Sequence, residues 1–196
     1  MLGYAAKLKA ENPDAKAAVL GGGLLGLEAG KAVMDMGLEP HIVEFASKLM
    51  PRQLDARSSQ VLQLKLESLG LNIHLRKTTN QILGNGSIVG MEFGVDDLLN
   101  VDMLVISAGI RPRDELGKNA GLEMGVRGGI VVNNKMQTSD ENIFAIGDCT
   151  IHPNSIYGDL RLESVHNAVE QAKTAASFII GEPKPYEQVP WFWSEQ

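Results

Sequence analysis

The apolar positions within the first 44 residues predict a strand, a helix and a second strand. Short apolar runs at residues 17–20 and 41–43 are typical of buried strands. Between them, apolar residues recur at helical spacing, at Leu25, Ala29, Ala32, Val33 and Met36. Gly37 follows the last of these positions, where a glycine commonly ends a helix. One strand–helix–strand unit is therefore expected over residues 17–44.

The pattern after residue 44 predicts a series of strands that a plain alternation of strands and helices would not contain. Residues 54–69 are expected to form a helix, and the alternation over 71–75 indicates a strand. Two further apolar segments, 79–83 and 87–93, flank a Gly-Asn-Gly sequence, which is a hairpin signal. Residues 99–106 are then expected to form one buried return strand, so that a β-meander separates this strand from the first unit.

The second half of the chain is richer in glycine and has weaker patterns. A short helix is expected near the N-terminus, and a strand at 130–132. Residues 143–146 are expected to form a short apolar strand that ends at Gly147 and Asp148. Apolar residues at steps of three and four predict a helix over 162–179.

Composition and charge exclude several classes of protein. The chain has 196 residues, 44% hydrophobic and 21% charged, as in ordinary globular proteins. Its net charge of −6 offers no surface for nucleic acid or for an anionic membrane. No apolar run is long enough to cross a membrane, and no secretory signal is visible. A cytoplasmic location is therefore expected.

Three glycines stand between the first strand and the helix. Gly21, Gly23 and Gly26 form the pattern G-x-G-x-x-G. In a dinucleotide-binding turn, the first glycine permits the tight turn, the second lets a pyrophosphate approach, and the third lets helix and sheet pack closely. The strand before and the helix after supply the context that this weak pattern needs. A purely structural glycine turn stays the alternative.

The second strand ends in an acid, Glu44, near the usual distance of about 20 residues from the glycines. An acid there accepts hydrogen bonds from the ribose hydroxyls of adenosine and repels a 2′-phosphate, which favours NADH over NADPH. Lys48 and Arg52 follow it in a loop. They are either solvated surface cations or contacts for the adenosine phosphates, and the sequence leaves both interpretations open.

Three motifs in this order resemble those of the FAD-dependent pyridine nucleotide–disulfide oxidoreductases. They are Gly21-x-Gly23-x-x-Gly26-x-Glu28, the strand ending at Glu44, and Thr138 through Ala145-Ile146-Gly147-Asp148. Residues 17–150 are most similar to the reductase domain of the assimilatory nitrite reductase large subunit. Residues 161–196 are more similar to the ferredoxin and rubredoxin reductases.

The resemblance implies an α/β fold with a Rossmann-like NAD-binding domain that carries a β-meander insertion, plus the C-terminal half of a split FAD-binding domain. We expect an N-terminal helix or linker at 1–14, the NAD(H)-binding domain at 15–110 and the FAD half at 111–182. A linker and the start of a further domain are expected at 183–196. Members of the family carry an additional glycine fingerprint upstream for FAD, so the chain is expected to be an interior piece of such an enzyme.

The resemblance also implies which residues bind NAD(H). They are Gly21 in the tight turn, Gly23, Leu25 and Gly26 at the pyrophosphate, Glu44 and Arg52 at the adenosine end, and Ala108 and Gly109 on the nicotinamide side. Glu28 is the implied catalytic residue, beside the nicotinamide where this ring stacks on the flavin. From the residues alone, Glu28 is expected on the first helical turn, where the helix dipole stabilises a carboxylate, so a structural role remains open.

For FAD, the resemblance implies that Asp148 binds the ribityl and pyrophosphate region and that Val165 and Trp191 lie near the flavin ring. The alternatives are that Asp148 caps a following helix and that Trp191 anchors a domain interface. Trp193, two residues on, is expected to face the same way as Trp191. Cys149 is expected to be a small apolar residue and not a redox centre, and the histidines lack the spacing of a metal site.

The leading hypothesis is an NADH-dependent flavoprotein that passes a hydride from NADH to FAD. Electrons would continue to an iron–sulfur protein or to a downstream redox domain, and self-association into a homo-oligomer is left open. The alternatives are an NAD(H)-binding module without flavin or turnover, and a structural role with the two tryptophans as a docking patch. A simple dehydrogenase is disfavoured because no convincing set of catalytic side chains is present.

Overall fold

The computed structural model describes residues 2–189 and 191, and it divides into two units between Ile110 and Arg111. The expectation for Trp193 falls outside the described residues. None of the helices in the part of the chain that the structure describes combines the length and the apolar character that a membrane crossing requires.

The first unit is built on a four-stranded parallel sheet. Its elements are, in chain order, α1 (Leu2–Glu11), β1 (Lys16–Leu20), α2 (Leu24–Asp35), β2 (Glu39–Glu44), α3 (Ala56–Ser68), β3 (Asn72–Leu75), β4 (Gln81–Gly84), β5 (Ile88–Gly94), β6 (Asp97–Asn100) and β7 (Met103–Ile106). The strand order is β3-β2-β1-β7, so β1 is central. Strands β2 and β7 pair with opposite edges of β1, which leaves a crevice at its carboxyl end.

The two faces of this sheet are covered by different elements. Val19 and Ile42 pack against residues of α2 and α3, including Leu27 and Leu66. On the other face, Ala18 and Val43 pack with Met91 of the meander strand β5. Adjacent residues of one strand thus enter two separate cores, as expected for a parallel sheet that is buried on both sides.

The helix α2 is present as predicted, and two glycines form part of its buried face. Its buried residues are Gly26, Leu27, Gly30 and Val33, whereas Leu25 is 56% exposed. A Cβ on Gly30 would stand 2.5 Å from Cδ1 of Ile42, so this glycine lets the helix approach β2. Hydrophobic periodicity gives no weight to glycine, so it did not indicate the buried position of Gly30.

The meander is confirmed, with one correction to the last strand. β4, β5 and β6 form a separate antiparallel sheet in sequential order. The single strand expected over 99–106 is wrong. Leu99 lies in β6 of the meander, and only Met103–Ile106 joins the parallel sheet. Between the two strands, a carboxylate oxygen of Asp102 accepts a hydrogen bond of 2.9 Å from the backbone N–H of Lys16.

Two histidines form a hydrogen-bonded pair on β2 and β3. His41 Nδ1 lies 3.0 Å from His74 Nε2, and His41 Nε2 lies 3.0 Å from Glu39 Oε1. Burial lowers the pKa of both imidazoles below the ordinary histidine value, and the charge of His41 lowers the pKa of His74 further. The folded pair is therefore neutral at a pH where an unfolded histidine takes up a proton.

The second unit contains a three-stranded sheet and a long helix. Its elements are, in chain order, α4 (Glu115–Asn119), β8 (Ile130–Val131), a 3₁₀ turn (Gly147–Cys149), β9 (Thr150–Asn154), β10 (Gly158–Leu160) and α5 (Val165–Ile179). β9 lies between β8 and β10, parallel to the first and antiparallel to the second. The core of the second unit includes Ile130, Met136, Ala175 and Tyr186.

The region before the 3₁₀ turn differs from the prediction. The strand expected over 143–146 is reduced to one bridge between Phe144 and Gln137. The chain then enters the 3₁₀ turn, which is followed by β9 and not by a helix. Asp148 therefore does not cap a following helix, and Ser164 caps α5 instead by accepting a hydrogen bond from the N–H of Asn167.

We expect Met91→Ala to lower the free energy of unfolding by about 2–5 kcal/mol, because it opens a cavity between the meander and the sheet. Met91 is fully buried in this core. The matched control is Leu98→Ala on the neighbouring strand, where the side chain is exposed and the change should stay within about 0.5 kcal/mol. Urea unfolding of both variants measures the difference, and equal losses would contradict the placement of the core.

The histidine pair predicts that the first unit loses stability in acid. An unfolded histidine takes up a proton at about pH 6.5. The folded pair does so only at lower pH, because both pKa values are lowered. The stabilisation is therefore complete above about pH 6.5 and falls as the pH drops from there through the folded pKa values. His74→Gln keeps a polar partner for His41 and should flatten this loss in urea midpoints measured from pH 8 to pH 5. An unchanged slope would contradict the assignment.

Candidate functional site

The glycine turn predicted from the sequence lies at the carboxyl end of the central strand β1. The N–H of Gly21 donates to the carbonyl of Val43 over 2.8 Å, which ties the turn to β2. Gly21 has a φ of +121°, and a Cβ there would stand 2.3 Å from the carbonyl oxygen of Ser107. This position therefore requires glycine both for its backbone conformation and for its contact with the residue after β7.

The other two glycines have opposite surroundings. A Cβ on Gly26 would stand 1.9 Å from the carbonyl oxygen of Gly21, so its absence lets α2 pack directly on the turn. Around Gly23, no heavy atom outside its immediate chain neighbours lies within 4 Å of the place where a Cβ would stand. Gly26 thus serves packing, while Gly23 faces open space at the start of the helix.

The N-terminus of α2 opens toward this space. Gly23 is the N-cap in an extended conformation and supplies no side-chain acceptor, and the first helical bond runs from the N–H of Leu27 to the carbonyl of Gly23. The N–H groups of the first turn thus lack a side-chain cap from the N-cap residue and lie at the positive end of the helix dipole. This combination of free donors, partial positive charge and space suits an anionic group such as a pyrophosphate.

The acid expected at the end of β2 is buried beside the turn. Glu44 is only 4% exposed, and its two carboxylate oxygens accept hydrogen bonds from the N–H groups of Gly22, over 2.6 Å, and Ala46, over 2.7 Å. The sequence predicted an acid for the ribose but not these two bonds. Each oxygen keeps a further acceptor position, so that Glu44 both holds the turn and can accept a hydroxyl.

The loop that carries Arg52 is attached to the same turn. The N–H of Met50 donates to the carbonyl of Gly22 over 2.9 Å, and the buried Leu49 packs against the position of a Gly22 Cβ. Ser59 of α3, which sequence reasoning missed, donates from its hydroxyl to the carbonyl of Leu49 over 2.9 Å. Arg52 itself is exposed, so the structure places this cation on a fixed loop and in solvent.

Glu28 lies on α2 but not on its first turn. The helix begins at Leu24, which places Glu28 on the second turn, where the side chain is half-buried. The argument from the helix dipole is therefore weaker than expected, because that effect falls off within the first turn. Ala108 and Gly109 are exposed in the segment after β7, and the backbone of Ser107 and Ala108 is what a Cβ on Gly21 would meet.

In the second unit, Asp148 and Val165 border the same shallow groove. Asp148 is an exposed residue of the 3₁₀ turn, and Val165, at the first position of α5, is 82% exposed. The groove is lined by Asp148, Glu163, Ser164, Val165, Ala168, Val169 and Ala172. Arg161 pairs with Glu163 over 2.7 Å at its border. The groove therefore combines a charged edge with an apolar floor.

The remaining sequence-predicted residues are placed as follows. Trp191 is half-exposed and its ring lies 4.4 Å from the ring of His166, centroid to centroid. Burial raises the pKa of the Cys149 thiol, and its Sγ lies 3.4 Å from the carbonyl oxygen of Ile146, so the thiol is held protonated at neutral pH. Within the described residues, no group of three or more histidine, cysteine or acidic side chains is arranged to hold a metal ion.

Sequence reasoning also missed a buried amide, Gln171 of α5. Its Oε1 accepts a hydrogen bond of 2.6 Å from the N–H of Gly147, directly before Asp148. A glutamine among the small residues of an amphipathic helix carries no signal of such a contact. Only the packing of α5 on the 3₁₀ turn brings the two residues together.

The residues of the two units fit the groups that a dinucleotide and a flavin nucleotide would present. The open space at Gly23, the uncapped start of α2 and the acid Glu44 match a pyrophosphate followed by a ribose. The groove beside Asp148 offers a carboxylate for hydroxyl groups and an apolar wall at Val165 and Val169.

Comparison with known proteins identifies a family and several relatives. The family model described as pyridine nucleotide-disulphide oxidoreductase matches residues 2–172. The chain is 41% identical over 174 residues to the large subunit of nitrite reductase (NADH) of Escherichia coli, which is 88% of this chain and 20% of that subunit. It is 36% identical over 184 residues to rubredoxin-NAD(+) reductase of Pseudomonas putida, which is 93% of this chain and 47% of that enzyme.

The fold agrees with that of a solved reductase. A ferredoxin reductase from Rhodopseudomonas palustris superposes with a TM-score of 0.87 at 32% identity, over 97% of this chain and 46% of that protein. The predicted Rossmann-like α/β fold class is thereby confirmed. The chain spans about a fifth of the nitrite reductase subunit and about half of the two other relatives.

The predicted resemblance is confirmed by a family model that covers most of the chain and by relatives of the nitrite reductase and rubredoxin reductase type. This family consists of oxidoreductases that depend on FAD and NAD(H). The chain belongs to the pyridine nucleotide-disulphide oxidoreductase family.

Proposed function

We propose that this chain provides the NADH-binding part and a portion of the FAD-binding part of a flavoprotein reductase. The observation that carries the proposal is the juxtaposition of open space at Gly23, the uncapped start of α2 and the buried acid Glu44. In this proposal, residues 15–110 bind NADH and residues 111–182 contribute to the flavin site, with 1–14 and 183–196 as flanking segments.

In the first unit, the main chain supplies most of the binding. The N–H groups at Gly23, Leu25 and Gly26 hold the pyrophosphate, and Gly21 shapes the turn that exposes them. The exposed Leu25 covers the phosphates on one side. These contacts require little rearrangement because the turn is already fixed to β2 through Gly21 and Gly22.

At the two ends of the dinucleotide, side chains add specificity. Glu44 accepts from the adenosine ribose hydroxyls with the acceptor positions that Gly22 and Ala46 leave free, and Arg52 approaches the adenosine phosphates from its loop. Ala108 and Gly109 line the nicotinamide side, and Glu28 orients that ring as the catalytic residue. The geometry of α2 and of the segment after β7 supports this arrangement because both meet at Gly21.

In the second unit, Asp148 binds the ribityl and pyrophosphate region of FAD, and Val165 and Trp191 lie against the flavin. The exposed carboxylate beside an apolar groove supports the first role, and the exposure of Val165 supports the second. When bound, NADH and FAD supply the redox chemistry, a hydride transfer from the nicotinamide to the flavin. The residues of the chain bind and position the two groups.

The electron acceptor that fits this proposal is a small iron–sulfur or related redox protein, or a further redox domain. The support is that relatives are named for nitrite and for rubredoxin, two different acceptors served by a similar reductase core. The alternative is a chain that binds NAD(H) without flavin and without turnover. The chain covers 20% and 47% of the length of these two relatives, so the experiment below also tests this alternative.

The visible absorption spectrum of the purified 196-residue chain, before and after anaerobic NADH, tests the proposal. A flavin band that NADH bleaches supports the reductase. NADH binding without a flavin band supports the module without turnover and overturns the flavin part. The absence of both overturns the proposal as a whole, provided that circular dichroism shows a folded chain.

Gly23→Ala and Gly26→Ala should separate binding from folding. Gly26→Ala places a methyl group 1.9 Å from a backbone oxygen, and we expect it to lower the free energy of unfolding by about 2 kcal/mol or more. Gly23→Ala meets no neighbouring atom, so it should change stability by less than about 1 kcal/mol.

The affinity for NADH tests the binding role of Gly23 in the variant that keeps its fold. In Gly23→Ala, the methyl group fills space proposed for the pyrophosphate, and we expect at least a tenfold loss of NADH affinity from a well-folded chain. Titration followed by NADH fluorescence measures this loss. Unchanged affinity in Gly23→Ala would contradict the proposed site.

The ratio of NADH to NADPH affinity tests the role of Glu44. Glu44→Gln removes the negative charge that repels a 2′-phosphate, so the preference for NADH should fall by about tenfold, equivalent to about 1.4 kcal/mol. The same variant should also lose stability, because one of the N–H groups of Gly22 and Ala46 then faces an amide donor. The ratio is independent of the folded fraction, so an unchanged ratio would contradict the specificity role alone.

A further inference from the structure

A directional hydrogen-bond network connects the 3₁₀ turn of Asp148 to a buried histidine through Gln171. Gln171 Oε1 accepts from the N–H of Gly147 over 2.6 Å. The hydroxyl of Thr150 lies 3.1 Å from the same oxygen and 2.8 Å from the carbonyl oxygen of Gly147, to which it donates. Gln171 Nε2 lies 3.0 Å from Nδ1 of His152. All of these groups are buried, so each donor needs an acceptor within the protein.

The orientation of the Gln171 amide follows from its main-chain partner. A backbone N–H can only donate, so the atom that faces Gly147 must be the amide oxygen. The amide nitrogen therefore faces His152 and donates to its Nδ1. His152 Nδ1 must then be an acceptor, which makes the ring neutral with its proton on Nε2.

A second side chain limits the movement of this amide. Asn167 Nδ2 donates to the carbonyl of Leu162 over 2.9 Å, which fixes its own orientation. Asn167 Oδ1 then accepts from the hydroxyl of Tyr186 over 2.6 Å and lies 3.5 Å from Gln171 Nε2. Both hydrogens of the Gln171 amide thus have acceptors, at His152 and Asn167.

A proton on His152 Nδ1 would break this arrangement. It would place an N–H of the ring against the NH₂ group of Gln171, two donors facing each other. Rotating the amide by half a turn would satisfy the ring but would place the NH₂ group against the N–H of Gly147. In either case one buried donor loses its acceptor, at a cost of about 1–3 kcal/mol.

We propose that Gln171 is a positioning residue that couples the protonation of His152 to the geometry of the Gly147–Cys149 turn, and so to the placement of Asp148. The role at the flavin nucleotide rests on the proposed function of Asp148, whereas the coupling itself does not. In this arrangement the turn is held while His152 is neutral and is released when the ring takes up a proton.

The surroundings of His152 set the pH at which this happens. Burial lowers the pKa of His152 below the ordinary histidine value. The titratable group packed against its ring is Tyr186, edge-on with 5.1 Å between the ring centroids. Burial and the negative charge of Glu170 raise the pKa of the Tyr186 phenol. The turn is therefore held at neutral pH and released in acid, below the pH at which an exposed histidine titrates.

Nuclear magnetic resonance of the ¹⁵N-labelled full chain tests the coupling directly. At pH 8, long-range correlations of the His152 ring should show an unprotonated Nδ1 and a proton on Nε2. As the pH is lowered, the amide signal of Gly147 should move with the same midpoint as His152. A proton on Nδ1 at pH 8 would overturn the proposal. So would a Gly147 signal that stays in place while His152 titrates, or a ring that stays neutral until the chain unfolds.

Two substitutions separate this role from a merely structural one. Gln171→Glu keeps an acceptor for Gly147 and offers a carboxylate to the protonated ring, so the His152 midpoint should rise by at least one pH unit. Gln171→Met removes both contacts and should shift the Gly147 signal at every pH. The control is Lys173→Gln, on the exposed side of α5, which should change neither. If both Gln171 variants lowered stability alike and left the midpoint unmoved, Gln171 would be structural only.

Addition of FAD to the same labelled chain at pH 8 isolates the assumption about Asp148. Changes confined to the signals of residues 147–149 and the start of α5 would support the flavin role. Intact coupling between His152 and Gly147 without any response to FAD would remove that role and leave the coupling established. The two failures are therefore distinguishable.

Discussion

The contact on which the first unit depends is the one between Gly26 of α2 and the carbonyl of Gly21. A side chain of any size on Gly26 would collide with that oxygen, since even a Cβ would stand 1.9 Å away. The contact brings the positive end of the helix to the carboxyl end of the central strand. The same approach leaves the space at Gly23 open, so one packing constraint creates the feature that a dinucleotide would use. The remaining contacts, through Glu44, Met50 and Leu49, serve to hold the turn in that position.

The two units hold their glycine turns by the same physical means. In the first, a carboxylate oxygen of Glu44 accepts from the N–H of Gly22, and in the second the amide oxygen of Gln171 accepts from the N–H of Gly147, each over 2.6 Å. A buried N–H without an acceptor is costly, and for Gly22 and Gly147 a side-chain oxygen supplies the acceptor. A buried side-chain oxygen therefore fixes a loop that would otherwise be flexible. The difference lies in the consequence, because the amide of Gln171 also connects to a titratable ring and the carboxylate of Glu44 connects to another main-chain N–H.

The chain resembles reductases that are named for different acceptors. The relatives are named for nitrite and for rubredoxin, yet the chain aligns with each over most of its length. The family model likewise matches both the turn at Gly21 and the turn at Asp148, since it covers residues 2–172. The names of the relatives differ in the acceptor, which is why the proposed function names a class of partner.

The sequence by itself determined the first strand–helix–strand unit, the meander, the glycine turn, the acid at the end of β2 and the family. Those features depend on local periodicity, on the spacing of residues along the chain, and on motifs that resemble those of a known family. The tertiary structure decided the rest. It placed Gly30 on the buried face of α2 against Ile42, because close packing there depends on the absence of a side chain and periodicity does not record it. It also brought Gln171 to Gly147 across 24 residues and gave Glu44 its two backbone bonds, since a buried polar group finds its partner only when the elements around it have packed.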